Sequence, residues 1–296
     1  MDIMTAREWF EKAKGEKFAI GAFNVANLET FKAIAQAAAN KKSPIIIESS
    51  PGETEWMGAD NVVDIARNLE WDYKIPILVN LDHAENFEQC QNAIEQGYDL
   101  IHFDGSKLPL EENMAILKKV VELAHAKGKT VEGEMDHITG SSEVHEGSAT
   151  DEASKGKFTD PDAAKRFVEE SGIDVFASFF GNVHGVFSSG DENLHLDILQ
   201  KIVETLPDVF LSLHGGSGIP DDQVAQAIKI GINKVNINTE MRQAFKDSLE
   251  DALHKNPDEY AIYKLEPAVV EAVQKVVEHK IDVFGSAGKA WSFYHA

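Results

Sequence analysis

Three histidines, His83, His184 and His214, each stand at the polar end of an apolar run that predicts a β-strand. The runs are ILVNLDHAENF, FASFFGNVHGVF and FLSLHGGSG, and each changes abruptly from branched or aromatic residues to a polar or glycine-bearing tip. A divalent cation needs several neutral imidazoles at one point, and the strand ends of a parallel barrel meet in space however far apart they lie in sequence. We therefore predict a metal site at these strand ends, although any one of these histidines alone would as readily be a hydrogen-bonded structural residue.

Acidic residues accompany the histidines at the same strand ends. Asp82 directly precedes His83, so regular alternation would place the two side chains on opposite faces unless the strand twists or breaks at its end. Asp104 in FDGS, and Glu132 and Glu134 in VEGEMD, end the fourth and fifth predicted strands. An acid beside a divalent cation serves as a ligand, orients a ligand or transfers a proton, and the sequence leaves these roles open.

Glycine-rich and hydroxyl-bearing tips follow the last three predicted strands. Backbone amides and a helix N-terminus after the seventh and eighth strands commonly bind phosphate in barrels of this kind. The pattern HGGSG therefore indicates a phosphate site next to a candidate metal ligand, although tight turns after strands also use glycine. The candidates are Gly181, Gly185, Gly215, Gly216, Ser217, Asn236, Asn238 and Thr239.

Strand-like and helix-like stretches alternate along nearly the whole chain. The eight predicted strands are KFAIGAFN, PIIIESS, ILVNLDH, LIHFDGS, TVEGEMD, VFASFFG, FLSLHGG and KVNINTE. Apolar residues recur at three- and four-residue spacing between them, which is typical of amphipathic helices. The pattern predicts an α/β fold, and specifically a (β/α)8 TIM barrel with extra C-terminal helices. Residues 1–296 are predicted to form one domain. The alternative is an open doubly wound sheet.

One connection, at about residues 137–160, is unusually long. Its sequence, HITGSSEVHEGSATDEASKGKFTD, has almost no apolar anchors. Long connections without regular structure are uncommon in compact domains and are usually active-site lids or disordered insertions. Because this one follows the fifth strand, we predict a mobile lid over the catalytic face. The chain from Glu240 onward is predicted to be helical and to contact a partner subunit.

The composition excludes some function classes. The chain has 50 acidic and 28 basic residues, a net charge of −22, so nucleic acids and anionic membranes are not its expected partners. The lone Cys90 excludes an intramolecular disulfide and a thiolate metal cluster. No continuous apolar segment suggests a signal peptide or a membrane span, and we expect a soluble cytoplasmic protein.

Seven motifs, taken together, resemble the zinc-dependent class II ketose-bisphosphate aldolases. They are GAFNVANLET, LDHAENF, FDGSKLP, VEGEM, ASFFGNVHGV, LHGGSGIP and KVNINTE, in the family's order over most of the chain. The resemblance implies that His83, His184 and His214 are zinc ligands, that Asp82 is the acid/base residue, and that Glu134 contacts the metal in some states. The implied substrate- and phosphate-binding residues are Asn24, Ser50, Gly185, Gly215, Ser217, Asn236, Asn238 and Thr239.

The resemblance also implies a reaction and its partners. A fructose-bisphosphate aldolase reversibly cleaves fructose 1,6-bisphosphate to dihydroxyacetone phosphate and glyceraldehyde 3-phosphate in glycolysis. Zinc would stabilise the negative charge that develops on the ketone fragment, and Asp82 would take the proton of the C4 hydroxyl. A monovalent cation, Na⁺ or K⁺, is implied at backbone groups around Val183, Gly185 and Gly215, and the implied assembly is a homodimer or homotetramer.

The chain departs from the family pattern at three places. The family's lid glutamate has no plain counterpart, and Glu143 is the candidate with Glu146 as the alternative. Ala84 stands where many shorter members carry another histidine, which removes no required ligand. The segment that matches the arginine for the far phosphate contains none, which leaves Lys264 and Arg242 as candidates.

Three other interpretations stay open at this point. A tagatose-bisphosphate aldolase differs only in the C4 configuration of its substrate, which a small change in the pocket would decide. A metal-dependent hydrolase on the same barrel is a second alternative, but it would leave the HGGSG motif without a phosphate to bind. A noncatalytic sugar-phosphate binding protein would keep the ligands and lack the lid's proton transfer.

Overall fold

The predicted strands form a closed parallel barrel in the computed structural model, which describes residues 4–189 and 193–290. The barrel strands are β1 (Ile20–Asn24), β2 (Ile45–Ser49), β3 (Ile77–Ala84), β4 (Leu100–Asp104), β5 (Thr130–Glu134), β7 (Val175–Ala177), β9 (Phe210–Leu213) and β10 (Ile232–Ile237). Two further strands, β6 (Gly140–Ser148) and β8 (His184–Ser189), form a separate parallel pair. β1 pairs with both β2 and β10, which closes the ring, so the barrel prediction is confirmed and the open sheet is wrong.

Helices alternate with the barrel strands and surround them. Among the helices of the described residues, none combines the length and apolarity needed to cross a bilayer. The helices are α1 (Ala6–Glu16), α2 (Leu28–Lys41), α3 (Pro51–Met57), α4 (Ala59–Tyr73), α5 (Phe87–Gln96), α6 (Leu110–His125), α7 (Ala149–Ala153), α8 (Pro161–Ser171), α9 (Leu196–Thr205), α10 (Asp221–Ile230), α11 (Thr239–Lys255) and α12 (Ile262–Val283).

Strand alternation divides the core into an outer and an inner part. Side chains such as Ile45 and Ile47 point outward and join the large cluster that packs the helices against the barrel. Alternate residues such as Ile46 point inward, where they pack with Trp9 and Phe10 of α1. Helix α1 therefore closes the bottom of the barrel with apolar side chains and leaves the opposite end for polar groups.

A layer of buried polar side chains lies in the barrel above this apolar floor. Glu48, Asn80, His102, Glu132 and Lys234 have no exposed surface. The Nζ of Lys234 lies 2.8 Å from a carboxylate oxygen of Glu132 and 3.5 Å from one of Glu48. Burial lowers the pKa of Lys234, but these carboxylates outweigh it and raise the pKa above its usual value. The layer is thus a charge-balanced base for the strand ends above it.

The long connection after β5 has regular structure that its sequence did not suggest. It contains β6, which pairs with β8, and the short helix α7. Most side chains of β6 are exposed, so backbone pairing rather than apolar burial holds the strand. Gly140 has a φ of 93°, and a Cβ there would lie 2.2 Å from the carbonyl oxygen of His184. The missing apolar pattern reflects an exposed ribbon and not an absence of structure.

Candidate metal and substrate site

The three histidines predicted as ligands come together at one end of the barrel. The ring centroids of His83 and His184 lie 5.1 Å apart, those of His83 and His214 4.7 Å, and those of His184 and His214 6.0 Å. His83 lies within β3, and His214 directly follows β9. The expected position of His184 at the end of a barrel strand is wrong, because β7 stops at Ala177 and His184 begins β8. The loop between these two strands brings His184 to the centre.

Each of these imidazoles has one ring nitrogen held by an acceptor. Metal-binding histidines are typically oriented in this way, with the second nitrogen donating to a carboxylate or a backbone carbonyl. The contacts are His83 Nδ1 to Asp104 at 3.0 Å, His184 Nδ1 to the carbonyl oxygen of Ile138 at 3.3 Å, and His214 Nε2 to Glu132 at 2.8 Å. The hydrogen-bond network thus assigns the protons to these nitrogens and leaves lone pairs on His83 Nε2, His184 Nε2 and His214 Nδ1, the last of which also lies 3.5 Å from Nδ2 of Asn236.

Two of these lone pairs face each other closely. His83 Nε2 lies 3.0 Å from His214 Nδ1. Two unprotonated nitrogens repel at this distance unless a cation or a proton lies between them. A nitrogen–nitrogen distance of about 3.3 Å is expected when two nitrogens each lie about 2.0 Å from a tetrahedral zinc ion. The donor set and its spacing therefore fit a divalent cation.

The pKa values of two of the three histidines, His184 and His214, also suit ligands. Burial and the neighbouring His83 and His214 lower the pKa of His184 to about 3. Burial lowers the pKa of His214 despite the opposing charge of Glu132. For His83, burial is outweighed by the negative charge of Asp82, which raises the pKa. His184 and His214 are therefore neutral near pH 7, which is the protonation state that a metal ligand needs.

A break in β3 answers the question of where Asp82 and His83 point. His83 has a φ of 52°, in the left-handed region that side chains other than glycine rarely adopt. The pairing of β3 with β4 shifts between Leu81 and Ala84, so that an extra residue is inserted there. Both side chains consequently reach the recess at the end of the barrel.

Asp82 is a buried carboxylate between two amides. Its oxygens accept hydrogen bonds from Asn24 Nδ2 at 3.3 Å and from Asn236 Nδ2 at 3.2 Å. Burial raises the pKa of Asp82, but the positive charges around it, led by His83, outweigh burial and hold the pKa well below its usual value. Asp82 is thus an oriented, ionised base at the side of the metal position.

Glu134 lies behind His83. Its Oε2 is 3.7 Å from His83 Nδ1 and 3.5 Å from Nε2 of His102, and this buried oxygen has no hydrogen-bond partner among the described residues. Asp104, on the same side, has a pKa far below its usual value, because its contact with His83 outweighs its burial. His83, Asp104 and Glu134 offer donor atoms within 4.8 Å of one another, so this side of His83 could also accept a cation.

The sequence interpretation missed His102. This side chain is fully buried on β4, and it joins Asp82, His83 and His214 in a second group of donor atoms within 4.8 Å of one another. Strand alternation could have identified it, because His102 and Asp104 lie two residues apart and must share the inner face of β4. It escaped notice because it lies within a strand and not at its tip.

Most of the predicted site residues line a single recess. Ser142, from the long connection, lines it as well. Ser50, Glu134 and Glu143 do not: Ser50 caps the N-terminus of α3, and Glu143 and the alternative Glu146 are exposed on β6. The predicted residues in the recess are Asn24, Asp82, His83, His184, Gly185, His214, Gly215, Ser217, Asn236, Asn238 and Thr239.

Most of the phosphate candidates line this recess, and Gly181 and Gly216 lie outside its lining. Gly215 has a φ of 64°, and a Cβ there would lie 2.0 Å from the carbonyl oxygen of Val183, so only glycine fits. The 17-residue helix α11 starts at Thr239, and its cap residue Asn238 makes no side-chain capping hydrogen bond. Free backbone amides at a helix N-terminus attract anions. The recess thus places anion-binding groups beside a cation-binding cluster.

Comparisons with known proteins agree with this geometry. The family model described as fructose-bisphosphate aldolase class-II matches residues 4–289. A fructose-bisphosphate aldolase of Streptococcus pneumoniae is 42% identical over 98% of this chain and 100% of its own length. Another, from Geobacillus stearothermophilus, is 37% identical over 98% of this chain and 99% of its own length.

Solved structures show the same likeness. The YdjI aldolase of Escherichia coli superimposes with a TM-score of 0.82 at 32% identity, covering 96% of this chain and 98% of that one. A putative fructose-1,6-biphosphate aldolase of Coccidioides immitis gives a TM-score of 0.84 at 30% identity, covering 97% and 98%. The similarity therefore extends over the whole barrel and its surrounding helices.

Proposed function

The chain belongs to the class II fructose-bisphosphate aldolase family, and from this premise we propose that it reversibly cleaves fructose 1,6-bisphosphate to dihydroxyacetone phosphate and glyceraldehyde 3-phosphate. The family is zinc-dependent, and its members are lyases. A glycolytic role in the cytoplasm follows from this assignment. Tagatose 1,6-bisphosphate is the alternative substrate, because the two sugars differ at a single carbon.

His83, His184 and His214 would hold a single zinc ion through the three ring nitrogens that the surrounding acceptors leave free. When bound, the ion supplies a Lewis acid that stabilises negative charge on the ketone half of the substrate. The close approach of His83 Nε2 and His214 Nδ1 is the observation that carries this assignment. Glu134, with its unpartnered oxygen behind His83, would approach the ion only when the His83 ring moves.

Asp82 would remove the proton of the C4 hydroxyl during cleavage and return it during condensation. Its low pKa keeps it ionised, and the amides of Asn24 and Asn236 fix its two oxygens. A carboxylate held in this way needs no reorganisation when it accepts a proton. The positive charge of the buried Lys234 below it also favours the ionised form of Asp82.

Backbone amides at Gly185, Gly215 and Ser217 and the α11 N-terminus at Asn238 and Thr239 would bind one phosphate. Their shared place in the lining of the recess supports this, because backbone amides at a helix N-terminus attract anions. Carbonyl groups around Val183 would bind a monovalent cation, Na⁺ or K⁺, beside that phosphate. Asn24, which ends β1 and lines the recess, would contact the substrate, as would Ser50, which follows β2 outside the recess lining.

We also propose that residues 1–296 form one aldolase-type barrel domain in which residues 137–160 act as a mobile lid. Closure of the β6 ribbon would bring Glu143 from its exposed position to the substrate, where it would exchange the proton at the carbon next to the ketone. Glu146 is a matched control on the same ribbon. Single-turnover cleavage should be slowed by Glu143→Ala and little affected by Glu146→Ala, and the reverse result would reassign the role.

The protein is proposed to act as a homodimer or homotetramer. Large apolar side chains are exposed around the connection from α11 to α12, where Tyr260 is 88% and Tyr263 73% exposed. Exposed apolar patches of this kind commonly mark interfaces between subunits. Light scattering on the eluted protein would separate a monomer from either assembly.

The central experiment measures cleavage of both sugar bisphosphates by purified protein of known metal content. We expect fructose 1,6-bisphosphate to be the better substrate, chelation to abolish turnover, and added zinc to restore it. His184→Ala should lose both zinc and activity. His279→Ala, a histidine of α12 that contacts Asp221, is the matched control and should retain both.

Two outcomes would overturn the proposal. If the wild type with zinc supplied cleaves neither bisphosphate but binds one of them, the protein is a noncatalytic sugar-phosphate binder. If chelation leaves cleavage unchanged, the metal assignment is wrong.

A further inference from the structure

The break in β3 leaves one backbone group that needs a partner. Pairing passes from Leu81–Ile101 to Ala84–Phe103, so two residues of β3, Asp82 and His83, stand opposite a single residue of β4. A bulge of this kind interrupts the ladder of backbone hydrogen bonds. The N–H of His83 therefore lies in a buried region without a strand carbonyl to receive it, and buried N–H groups are almost always paired.

The single residue opposite the bulge is His102, and its side chain takes the place of the missing carbonyl. His102 Nδ1 accepts the His83 N–H at 3.1 Å, and the ring has no exposed surface. Few side chains reach from one strand to the backbone of the next, because side chains normally project perpendicular to the sheet. The hydrogen bond thus ties β4 to the one irregular peptide of β3.

This hydrogen bond fixes the tautomer of His102. A nitrogen that accepts an N–H carries no proton, so Nε2 carries it and faces Oε2 of Glu134 at 3.5 Å. Neither Nε2 nor that oxygen has a hydrogen-bond partner within residues 4–189 and 193–290.

The backbone that His102 holds is also the strained one. His83 is the only non-glycine residue of the described chain with a positive φ that does not lie at the end of a helix. That conformation allows Asp82 and His83 to point into the same recess. If the bulge relaxed to a regular strand, one of the two side chains would turn toward the outer face.

We propose that His102 is a positioning residue that pins the Asp82–His83 bulge through its Nδ1 and thereby aims His83 at the metal position and Asp82 at the substrate. The inference rests on the proposed function, because it assumes that His83 is a metal ligand. It adds a fourth histidine to the site, which does not itself need to touch the metal or the substrate.

Three substitutions separate the acceptor from the other properties of the ring. His102→Asn keeps an acceptor oxygen near the place of Nδ1 and loses the Nε2–H. His102→Gln carries its polar group farther out, near the place of Nε2 and Glu134. His102→Leu keeps apolar volume and has neither group. If His102 only fills space, all three variants change stability without a pattern in metal binding.

The first readout is zinc affinity, measured by competition with a chromophoric chelator. We expect His102→Gln and His102→Leu to bind zinc about 10- to 100-fold more weakly than the wild type, and His102→Asn to stay within about threefold of it. The second readout is the visible absorption of the cobalt(II) proteins, which reports ligand geometry. The spectrum of His102→Asn should match the wild type, and the other two should differ from it.

Thermal unfolding of the metal-free proteins shows which variants fold. Should His102→Leu fail to fold, the polar pair Asn and Gln still decides the question. The proposal is overturned if all three variants bind zinc as tightly as the wild type. It is also overturned if His102→Asn and His102→Gln lose zinc affinity to the same extent. If His102→Asn binds zinc more weakly and His102→Gln does not, the role belongs to the contact with Glu134, and this result also overturns the proposal.

A failure of this inference differs from a failure of the proposed function. If the wild type binds no zinc, or His184→Ala binds it as tightly as the wild type, the three-histidine assignment falls. If the wild type binds zinc and His184→Ala does not, while the His102 variants match the wild type, only the role of His102 falls.

Discussion

The carboxylate of Glu132 lies 2.8 Å from Nε2 of His214, and neither side chain has any exposed surface. The same carboxylate also lies 2.8 Å from Nζ of Lys234. One buried charge thus orients a proposed metal ligand and neutralises the lysine beneath it. Metal binding and the stability of the barrel interior are therefore coupled through a single residue.

Glu132→Gln is expected to weaken both properties. The substitution keeps the shape of the side chain but removes the charge, which leaves Lys234 buried without its nearest carboxylate and 3.5 Å from the side chain of Glu48. Removing one partner of a buried ion pair costs about 3–5 kcal/mol of unfolding free energy, and loss of an orienting carboxylate weakens metal binding about 10- to 100-fold. Urea unfolding of the metal-free protein and zinc competition measure the two effects. Glu271→Gln, on the exposed face of α12, is the control, and a Glu132→Gln protein as stable as that control would contradict the coupling.

Asp82→Asn separates proton transfer from metal binding. Asparagine preserves the size of the side chain beside Asn24 and Asn236 but cannot act as a base. We expect kcat for cleavage to fall by about 10²- to 10⁴-fold while the zinc content stays at the wild-type level. Steady-state kinetics together with metal analysis test this. A variant that retains most of its kcat with zinc bound would show that another group takes the C4 proton.

Glu48 is expected to give the metal-free protein a pH-dependent stability. Burial and the nearby charge of Asp82 raise the pKa of Glu48 from 4.5 to about 8, against the opposing charge of Lys234. The folded protein therefore holds this proton up to about pH 8, whereas the unfolded chain releases it near pH 4.5. The resulting stabilisation is fully present below pH 4.5 and is lost as the pH rises through 8.

Glu48→Gln should remove this dependence, because the amide does not titrate. Urea unfolding at pH 5, 7 and 9 measures the free energy of unfolding. Between pH 5 and pH 9 this free energy should fall by on the order of a few kcal/mol more in the wild type than in the variant. The variant should therefore gain stability relative to the wild type as the pH rises. Parallel stability curves for the two proteins would show that the Glu48 carboxyl is ionised in the folded state.

Gly215→Ala tests the phosphate side of the recess. A methyl group there would meet the carbonyl oxygen of Val183 at 2.0 Å, and the φ of 64° disfavours any side chain, at a cost of about 1–3 kcal/mol. We expect the KM for the bisphosphate to rise at least about tenfold as the loop shifts, a change of 1.4 kcal/mol in binding. Gly15→Ala is the matched control, because Gly15 lies within α1 and no atom would lie within 4 Å of its Cβ. That change should leave KM unaltered and slightly stabilise the helix.

Arg242 and Lys264 are the two candidates for binding the second phosphate of the substrate. Arg242 reaches Glu53 at 2.7 Å and the carbonyl oxygen of Ser142 at 3.1 Å, beside a recess that shares Asn24 with the metal site. Lys264 instead pairs with Glu259 at the start of α12. Arg242→Ala should raise the KM for the bisphosphate about tenfold, since a hydrogen bond to a charged group contributes about 1.5–3 kcal/mol. Lys264→Ala should leave KM unchanged in an isolated subunit, and the opposite pattern would exchange the two roles.

The sequence by itself determined the barrel and most of its site. Eight strands were identified because each is a short run of mainly apolar residues with a polar or glycine-bearing tip, and because stretches with helical periodicity separate them. Asp82, His83 and His214 were found because chemistry in a barrel of this kind collects at the strand ends. The phosphate candidates followed from the glycine and hydroxyl residues after the last strands, and all of them except Gly181 and Gly216 line one recess.

Only the tertiary structure decided how these groups are aimed. Local propensity cannot show that β3 breaks at His83, because the left-handed residue there is held by His102, which is 19 positions away in the chain. Nor can composition show that β6 pairs with β8, since that strand is held by backbone hydrogen bonds and not by apolar burial. Periodicity records which face a side chain takes within one element. Contacts between elements decide which groups that face meets in space, and these contacts depend on residues that are distant in sequence.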